Sequence, residues 1–420
     1  MDIPVFAVPE RMMLSNGIPV YVLRSMTQPA VRIDVVIRGG QAAQDKLLQA
    51  LFTNRMLREG TEGMSSADLA ERLDNLGSWL EMSVSMGYSF LTLYSLRRCM
   101  RESCMLLSDI LLAPTFPEIQ LEVVRSNNRN QYLVNSRRGD VLARRLLYTD
   151  IYGVQHPCGH FAEVKDFDAI TREDLLRYYR RSYTPSHTSL YLAGDIDDEV
   201  LEVIETCFGK WYVSDASCIA MPSGAFNSLT VDSSRSPHLP VVRHLPTQVQ
   251  TSLRLCCLMM PVDTDDFYRM QVVTTLLGGF FGSRLMKRVR EELGYTYGIQ
   301  ADMVTNTRQA LFEINAEVVS EKADAVVSEV HCEMERLCTE LVSDEELLMT
   351  RNYMLGDICR NYEGAFSLID AYIYIHTMGL PEEYIQRIAR VASEITPALL
   401  LETAQRWLNT NDLHTAIVVP

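Results

Sequence analysis

Hydrophobic and polar residues alternate through residues 10–40 in a pattern typical of half-buried β-strands. The segments GIPVYVL and VRIDVVI are rich in β-branched residues, and Gly39-Gly40 follows the second. From about Asp45 the period becomes helical, and the apolar residues fall on one side: Leu47, Leu48, Leu51, Phe52 and Leu57. Gly60 follows, where a glycine commonly ends a helix. The pattern predicts two strands and then an amphipathic helix.

The rest of the first half mixes helices with a hairpin. Ser65 or Ser66 is the expected cap of a second helix. SWLEMSVSM and YSFLTLYSL alternate and predict paired antiparallel strands. A long helical region precedes APTFPE, and more helix is expected from Glu118 to about Tyr148. HPCGH then reads as a loop, ITREDLLRYYRRSY as a helix capped by Thr171, and TSLYLAGDI as a strand.

The second half repeats this order. QTSLRLCCLM predicts a strand, DDFYRMQVVTTLL a helix, and GGFFGSRLMKRVREELG a glycine turn and a helix. YTYGIQADMV and ALFEINAEVV predict strands, and two long helices are expected before the closing strand HTAIVVP. The repeated order indicates an internal duplication. We expect an α+β fold of two related domains, 1–215 and 247–420, each with an antiparallel-rich sheet packed by helices. A Ser- and Pro-rich linker, 216–246, joins them.

Composition excludes several function classes. The chain has 420 residues and a net charge of −15, which disfavours nucleic acid as a partner. No apolar run reaches the length of a membrane helix, so no membrane partner is expected. The N-terminus lacks the basic and apolar regions of a signal peptide, which predicts a cytoplasmic protein, or a periplasmic one if a signal was trimmed. The ten scattered cysteines are expected to be mostly buried thiols in a reducing compartment.

Motifs for hydrolytic chemistry are missing from the sequence. The only close histidine pair is His156 and His160, in HPCGH, where proline and glycine favour a loop and no glutamate lies between. Neither HExxH, HxxEH nor GxSxG occurs. Gly278-Gly279 could suggest a phosphate-binding loop, but the Lys-Ser/Thr part of that motif is absent.

The segment LLGGFFGSRLMKRVREELGYTYGI, residues 276–299, carries a more specific pattern. A helix is expected to end at Leu293, Gly294 turns the chain, and a strand starts at Tyr295. Arg290 therefore lies in the last helical turn and Tyr297 early in the strand. Taken alone, these two residues are a basic cap of the helix end and a tyrosine packed on the sheet.

This segment resembles the C-terminal domain signature of the M16 (pitrilysin-like) zinc peptidases. The shared residues are Gly278-Gly279, the SRL at 283–285, Arg290, and Tyr297 on the next strand. Other resemblances follow in the family's order: LSNGIPVYVL, GT at 60–61, HPCG at 156–159, ITREDLLRYYRRSYTPSHTSLYLAGDID at 170–197 and FGKW at 208–211. They span nearly the whole chain and imply the LuxS/MPP-like metallohydrolase fold of the two-domain bacterial members.

The resemblance also implies that the zinc site is lost. In active members the helix that ends in Gly-Thr carries HxxEH, and counting back from Gly60 places that motif on LFTNR, residues 51–55. Leu51 and Arg55 then occupy the histidine positions, and Asn54 occupies that of the general-base glutamate. Leucine offers no lone pair, arginine stays protonated, and asparagine cannot accept a proton from water.

The third zinc ligand of the family is a glutamate in the helix after PTFPE. Residues 123–139 contain no acidic residue. The best candidate for the lost ligand is Gln131, or else Asn130. We therefore expect no metal and no cofactor in this chain.

Two functional hypotheses follow from the resemblance. In heterodimeric bacterial members, one subunit carries HxxEH and zinc, and the other supplies an arginine and a tyrosine that bind the substrate backbone. This chain is then a non-catalytic subunit, with Arg290 and Tyr297 anchoring an unfolded peptide for an HxxEH-bearing partner. The alternative is a catalytically inactive peptide-binding or structural homologue, possibly homodimeric, in which Arg290 and Tyr297 are relics held by packing.

Overall fold

A computed structural model of the chain describes residues 6–212 and 240–420. The strands are β1 (Glu10–Met13), β2 (Pro19–Arg24), β3 (Ala30–Arg38), β4 (Trp79–Val84), β5 (Tyr88–Leu96), β6 (Thr188–Gly194), β7 (Val241–His244), β8 (Thr251–Pro261), β9 (Thr296–Val304), β10 (Gln309–Val318) and β11 (His414–Val419). The α-helices are α1 (Gln49–Met56), α2 (Ser66–Asn75), α3 (Met100–Leu112), α4 (Glu118–Asn135), α5 (Gly139–Tyr152), α6 (Val164–Ala169), α7 (Arg172–Ser182), α8 (Asp198–Phe208), α9 (Asp265–Thr274), α10 (Ala323–Thr339), α11 (Asp344–Asn361), α12 (Ala365–Met378), α13 (Tyr384–Glu394) and α14 (Pro397–Trp407). Two wider π-helical segments are Thr275–Gly279 and Met286–Glu292.

The strands form two sheets with the same topology. The first has the order β1-β2-β6-β3-β5-β4, and the second β7-β11-β8-β10-β9. β2 pairs parallel with β6, β7 pairs parallel with β11, and the other neighbouring pairs are antiparallel. Apart from β1, the two sheets agree in order and direction, as a duplication predicts. The expected α+β class, with two sheets packed by helices, is confirmed.

One face of each sheet is covered by a helix from the other half of the chain. α12, from the second half, packs on β2 and β6 of the first sheet, while α5, from the first half, packs on β8 and β11 of the second. α5 is the third α-helix after the hairpin of the first half, and α12 is the third after the hairpin of the second. Equivalent helices are therefore exchanged between the two sheets. Tyr191 of β6 shares a core with the second half, and Leu147 of α5 packs in a cluster with Ala416 of β11.

A buried ion-pair network fixes α12 to the first sheet. Arg32, on the central strand β3, donates to both carboxylate oxygens of Asp34 at 2.9 Å and to the Phe366 carbonyl oxygen at 2.9 Å. The same guanidinium also pairs with Asp370 of α12. Thr92 of β5 donates to Asp34 at 2.6 Å. Because Arg32 and Asp34 are both buried, each depends on these partners for the interactions that water would otherwise supply.

The second sheet has a matching network with α5. Arg254 of β8 pairs with the buried Glu313 of β10, and the Tyr148 hydroxyl of α5 donates to Glu313 at 3.1 Å. His414 of β11 also lies 2.6 Å from a carboxylate oxygen of Asp150 in α5. In both sheets a buried arginine–carboxylate pair therefore contacts the exchanged helix.

The first-half helix α1 begins later than the sequence pattern suggested. It starts at Gln49 and not at Asp45, because Leu48 has a left-handed backbone with φ of 70° that interrupts helical geometry. The Gln49 side chain donates to the Asp174 carbonyl oxygen at 2.8 Å, and Lys46 lies 2.7 Å from the Asp174 carboxylate. Asp174 also closes the capping box of α7 with Thr171. The start of α1 is thus fixed by contacts that are distant in sequence.

Other expectations also need correction. The helix expected from Glu118 to Tyr148 breaks into α4 and α5 at residues 136–138, where Arg138 has an extended backbone, and Gly139 then begins α5 close to Ser252 of β8. Five helices, not two, separate β10 from β11; Gly379, in a left-handed backbone, ends one of them and Pro397 begins another. Residues 216–239 of the expected linker lie outside the described residues, and residues 241–244 form β7. The domain boundaries stay a prediction.

The cysteines and the helices limit the chemistry of the chain. The nine cysteines that the structure describes are free thiols, but only four are buried, and Cys332 and Cys359 are exposed, so the expectation of mostly buried thiols is wrong. None of the described helices combines the length and the apolar character that crossing a membrane requires.

Asp174 gives the fold a pH-dependent contribution. Burial opposes its ionisation, but hydrogen bonds from Lys46, the Thr171 amide and Arg177 outweigh burial and hold the pKa of Asp174 at about 2, below the usual 3.8. A carboxyl with a lower pKa in the folded state stabilises the fold above its unfolded pKa and loses that contribution as pH falls from about 4 to about 2. We expect Asp174→Asn to lower the free energy of unfolding at neutral pH by about 1.5–3 kcal/mol. The variant should also lose less of this free energy than the unmodified protein as pH falls from about 4 to about 2. Urea denaturation checks this, with the exposed Asp168→Asn as control.

The Arg32 network should carry a large part of the stability. Arg32→Met leaves the buried Asp34 without its cation, and breaking a buried pair in this way typically costs about 3–5 kcal/mol. We expect a loss of that size in urea denaturation. Arg98→Met removes an exposed arginine that has no ion pair in the described parts of the chain and serves as the matched control. Equal stability of the two variants would contradict the assigned role.

Candidate functional site

Three of the four degenerate metal-site residues lie together on α1. Leu51 and Arg55 are one helical turn apart and share a face, as two ligands of a metal would. Leu51 is half-buried and Arg55 is exposed. Asn54 points into the protein and is fully buried. The geometry of the helix is retained, but the side chains on it have changed in kind.

Asn54 is placed in a neutral polar environment. Its amide donates to the Phe90 carbonyl oxygen at 3.3 Å, while its Oδ1 and the hydroxyl of Thr53 are buried without a hydrogen-bond partner in the described residues. The hydroxyl of Tyr183 is also buried without a hydrogen-bond partner in the described residues. Burial raises the pKa of Tyr183 to about 12, although Ser89 and Asn54 act to lower it. No group in this set takes a proton from water at neutral pH.

Arg55 makes the site unsuitable for a dication. In the described chain it forms no hydrogen bond or ion pair. Desolvation by the surrounding protein, followed by the charge of Arg58, lowers the pKa of Arg55 from its usual 12.5. An arginine nevertheless remains a cation at neutral pH and repels a metal ion. Within residues 6–212 and 240–420, no group of three or more His, Cys, Asp or Glu side chains is arranged to hold a metal.

Gln131, the candidate for the lost third ligand, lies apart from the other three. α4 packs against α1, but Gln131 is exposed and donates to Asn135 on its own helix at 3.1 Å. Asn130, the alternative, is exposed as well. The structure therefore brings Leu51, Asn54 and Arg55 together and records no contact from Gln131 to them. These residues do not fit a zinc ion.

The HPCGH loop has a packing role. His156 is buried, stacks on Tyr152 with ring centroids 5.0 Å apart, and accepts a hydrogen bond from the Cys158 amide at Nδ1. Burial lowers the pKa of His156 and favours its neutral form. Cys158 packs in a cluster with Cys256 of β8, which explains a small side chain at that position. His160 is exposed, so the two histidines form no joint site.

Arg290 and Tyr297 are both accessible. The Arg290 guanidinium carbon lies 4.5 Å above the ring of Phe281, and the residue makes no hydrogen bond or ion pair in the described chain. Tyr297 is 87% exposed on β9, and no described residue bonds its hydroxyl. The readings in which Arg290 caps the helix and Tyr297 packs on the sheet are therefore wrong.

Phe281 is a site residue that sequence reasoning missed. It is 62% exposed and lines a cavity of about 460 Å³. A neighbouring cavity of about 580 Å³ is lined by Tyr297, and both cavities contain Gly298 and Asn315. The Phe-Phe doublet after Gly278-Gly279 was the available signal. Tyr297 lines one of these cavities and Arg290 contacts Phe281, which lines the other, so both offer N–H or O–H donors without a partner among the described residues, which suits an acceptor such as a carbonyl oxygen.

The chain is similar to M16 peptidases and to homologues of them. Residues 169–354 match the family model described as Peptidase M16 inactive domain. A Rickettsia felis relative named "Uncharacterized zinc protease" is 22% identical over 357 residues, which cover 82% of each chain. A Helicobacter pylori relative named "Non-peptidase homolog YmxG" is 22% identical over 412 residues, 96% of this chain and 91% of that one. The crystal structure of a peptidase M16 inactive domain from Pseudomonas fluorescens has the same fold, with a TM-score of 0.84 at 20% identity over 98% of both chains.

Restoring the missing ligands tests the placement of the lost site. We expect the unmodified protein to hold no stoichiometric zinc in elemental analysis. The variant L51H/N54E/R55H is expected to bind zinc more tightly than the unmodified protein, because it places two imidazoles one helical turn apart on α1. Adding Q131E or N130E tests whether α4 can supply a carboxylate to them, and thermal melting controls for folding. Zinc in the unmodified protein would contradict the placement.

Proposed function

Because the chain is a homologue of the M16 peptidases whose zinc positions carry no zinc ligands, we propose that it is a non-catalytic subunit of a heterodimeric M16 peptidase. The observation that carries the proposal is the contrast between its two candidate regions. Leu51, Asn54 and Arg55 supply no metal ligand, whereas Arg290 is partly exposed, Tyr297 is largely exposed, and neither has a hydrogen-bond or ion-pair partner among the described residues. In this proposal zinc belongs to the partner, which carries HxxEH.

Three arginines in the same segment support an anchoring role over a packing relic. Arg284 pairs with Glu346 at 2.7 Å, and Arg288 pairs with Glu329 at 2.8 Å. Arg290 is the one of the three without a carboxylate partner in residues 6–212 and 240–420, and it lies over the exposed ring of Phe281. A side chain kept only for stability gains little from that position, since an exposed cation–π contact contributes about 0.5–1 kcal/mol.

The substrate in this proposal is an unfolded peptide. Tyr297 lies on β9, the edge strand of the second sheet, whose outer backbone groups are free to pair with an extended chain. Arg290 donates to a peptide carbonyl oxygen, and Tyr297 donates from its hydroxyl. When the partner's zinc centre attacks the peptide bond, donors already in place stabilise the charge that develops on the oxygen.

A second candidate is an inactive peptide-binding or structural homologue, possibly a homodimer. The name of the Helicobacter pylori relative, a non-peptidase homolog, favours it. In both readings the free thiols support a reducing compartment such as the cytoplasm.

The two candidates differ in a mixing experiment. Activity on a quenched peptide library is measured for the chain alone, for an HxxEH-bearing M16 chain of the same organism, and for the mixture. We expect activity only in the mixture. Arg290→Ala is expected to reduce the turnover of the mixture by about 10²–10³, as the loss of one oxyanion donor typically does, and Tyr297→Phe to reduce it in the same direction.

Arg288→Ala is the matched control, since it removes a neighbouring arginine that is already paired with Glu329. Unchanged turnover with Arg290→Ala would refute the anchor. An inactive mixture would favour the binding or structural homologue.

A further inference from the structure

The second half contains a polar cavity of about 370 Å³ between α9, α11 and β9. α9 follows β8 as α1 follows β3, so this cavity lies beside the second-half counterpart of the helix that carries Leu51, Asn54 and Arg55. Its wall includes Gln271, Thr274, Asp302, Tyr353, Asp357 and Tyr374. A volume of this size is within the range of small-molecule sites.

The cavity carries uncompensated negative charge. Asp302 and Asp357 both line it, and among its described lining residues there is no lysine or arginine. Asp357 pairs with the exposed Arg360 and accepts from Asn361 at 2.8 Å. Asp302 accepts one hydrogen bond, from Gln300 at 3.2 Å, and has no cationic partner in the described chain. Burial raises the pKa of Asp302, against the hydrogen bond from Gln300, as expected for a carboxylate without a counter-ion.

Aromatic rings and an unused hydroxyl complete the wall. Tyr353 is held by stacking on Phe280, with ring centroids 4.7 Å apart. Burial and then the charges of Asp357 and Asp302 raise the pKa of Tyr353, so both carboxylates act on this ring. Thr274 is 3% exposed, and its hydroxyl has no hydrogen-bond partner in the described residues. Buried hydroxyls usually have partners, so this orphan group points to a missing one.

We propose that this cavity binds a small organic ammonium ion. Asp302 is its counter-ion, the face of Tyr353 contacts the cation, and the Thr274 hydroxyl accepts an ammonium N–H. The carboxylate of Asp302 and the face of Tyr353 favour a cation over an anion, and the Thr274 hydroxyl supplies an acceptor for it. The proposal does not depend on the partner subunit or on peptidase activity.

Calorimetry with putrescine tests the proposal on the full chain. 1,4-Butanediol is the neutral ligand of the same length, and salt of about 0.15 M screens attraction to the net charge of the protein. We expect putrescine to bind and the diol not to bind. Asp302→Asn is expected to weaken putrescine at least about tenfold, because it removes the counter-ion. Glu345→Gln, an exposed carboxylate on α11, should leave the affinity unchanged.

Thr274→Val provides a second variant that keeps the shape of the side chain, and it should also weaken binding. Thermal melting without ligand shows whether each variant is folded. No putrescine binding, or equal affinity in Asp302→Asn and Glu345→Gln, would overturn the proposal. Binding of the diol as tightly as putrescine would also overturn it, since the recognition would not involve charge.

Discussion

Each sheet of this protein depends on a helix that the other half of the chain provides. Helices of the same half cover one face of each sheet, and the other face must be covered as well. α12 of the second half covers that face of the first sheet, and α5 of the first half covers that face of the second. The buried pairs formed by Arg32 and by Arg254 make these contacts specific, because an apolar surface alone would accept many orientations of a helix. The relation between the two halves, and so between α1 and the Arg290 segment, follows from this exchange.

In this architecture the packing of α1 does not depend on the side chains at positions 51 and 55. α1 is held by Gln49 on Asp174 and by the fully buried Phe52, and neither contact involves a metal. Leu51 and Arg55 lie on the outer face of the helix, where substitution disturbs little packing. Stability and hydrolytic chemistry are therefore separable in this region, as they commonly are in folds that host several functions.

Local signals made most strands and capped helices predictable. The alternation in β3 and β5 and the capping box of Thr171 with Asp174 depend only on residues that are close in sequence. The start of α1 was not predictable, since Gln49 bonds a carbonyl group 125 residues away. The pattern did not indicate the break at residues 136–138, where Arg138 has an extended backbone. The exchange was hidden as well, because an amphipathic helix does not indicate which sheet it covers.

Some residues of the candidate sites could be predicted from sequence motifs, and others became visible only in the structure. Leu51, Asn54, Arg55, Arg290 and Tyr297 were found by comparing motifs, and the accessibility of the last two became visible only in three dimensions. Phe281 is close to Arg290 in sequence, but nothing in the pattern showed that one would lie over the other. The cavity beside Asp302 needs residues from α9, β9 and α11, whose convergence is a property of the fold.

The exchange of helices also orders events during synthesis. The first sheet has all of its strands once residue 194 has been made, but the helix that covers its open face ends at residue 378. Until then a nascent chain presents Tyr191 and the charged Arg32 on an uncovered face, which is the kind of surface that chaperones bind. A chain that ends before α12 would therefore leave one face of the first sheet uncovered, although the core formed by first-half residues alone would be complete.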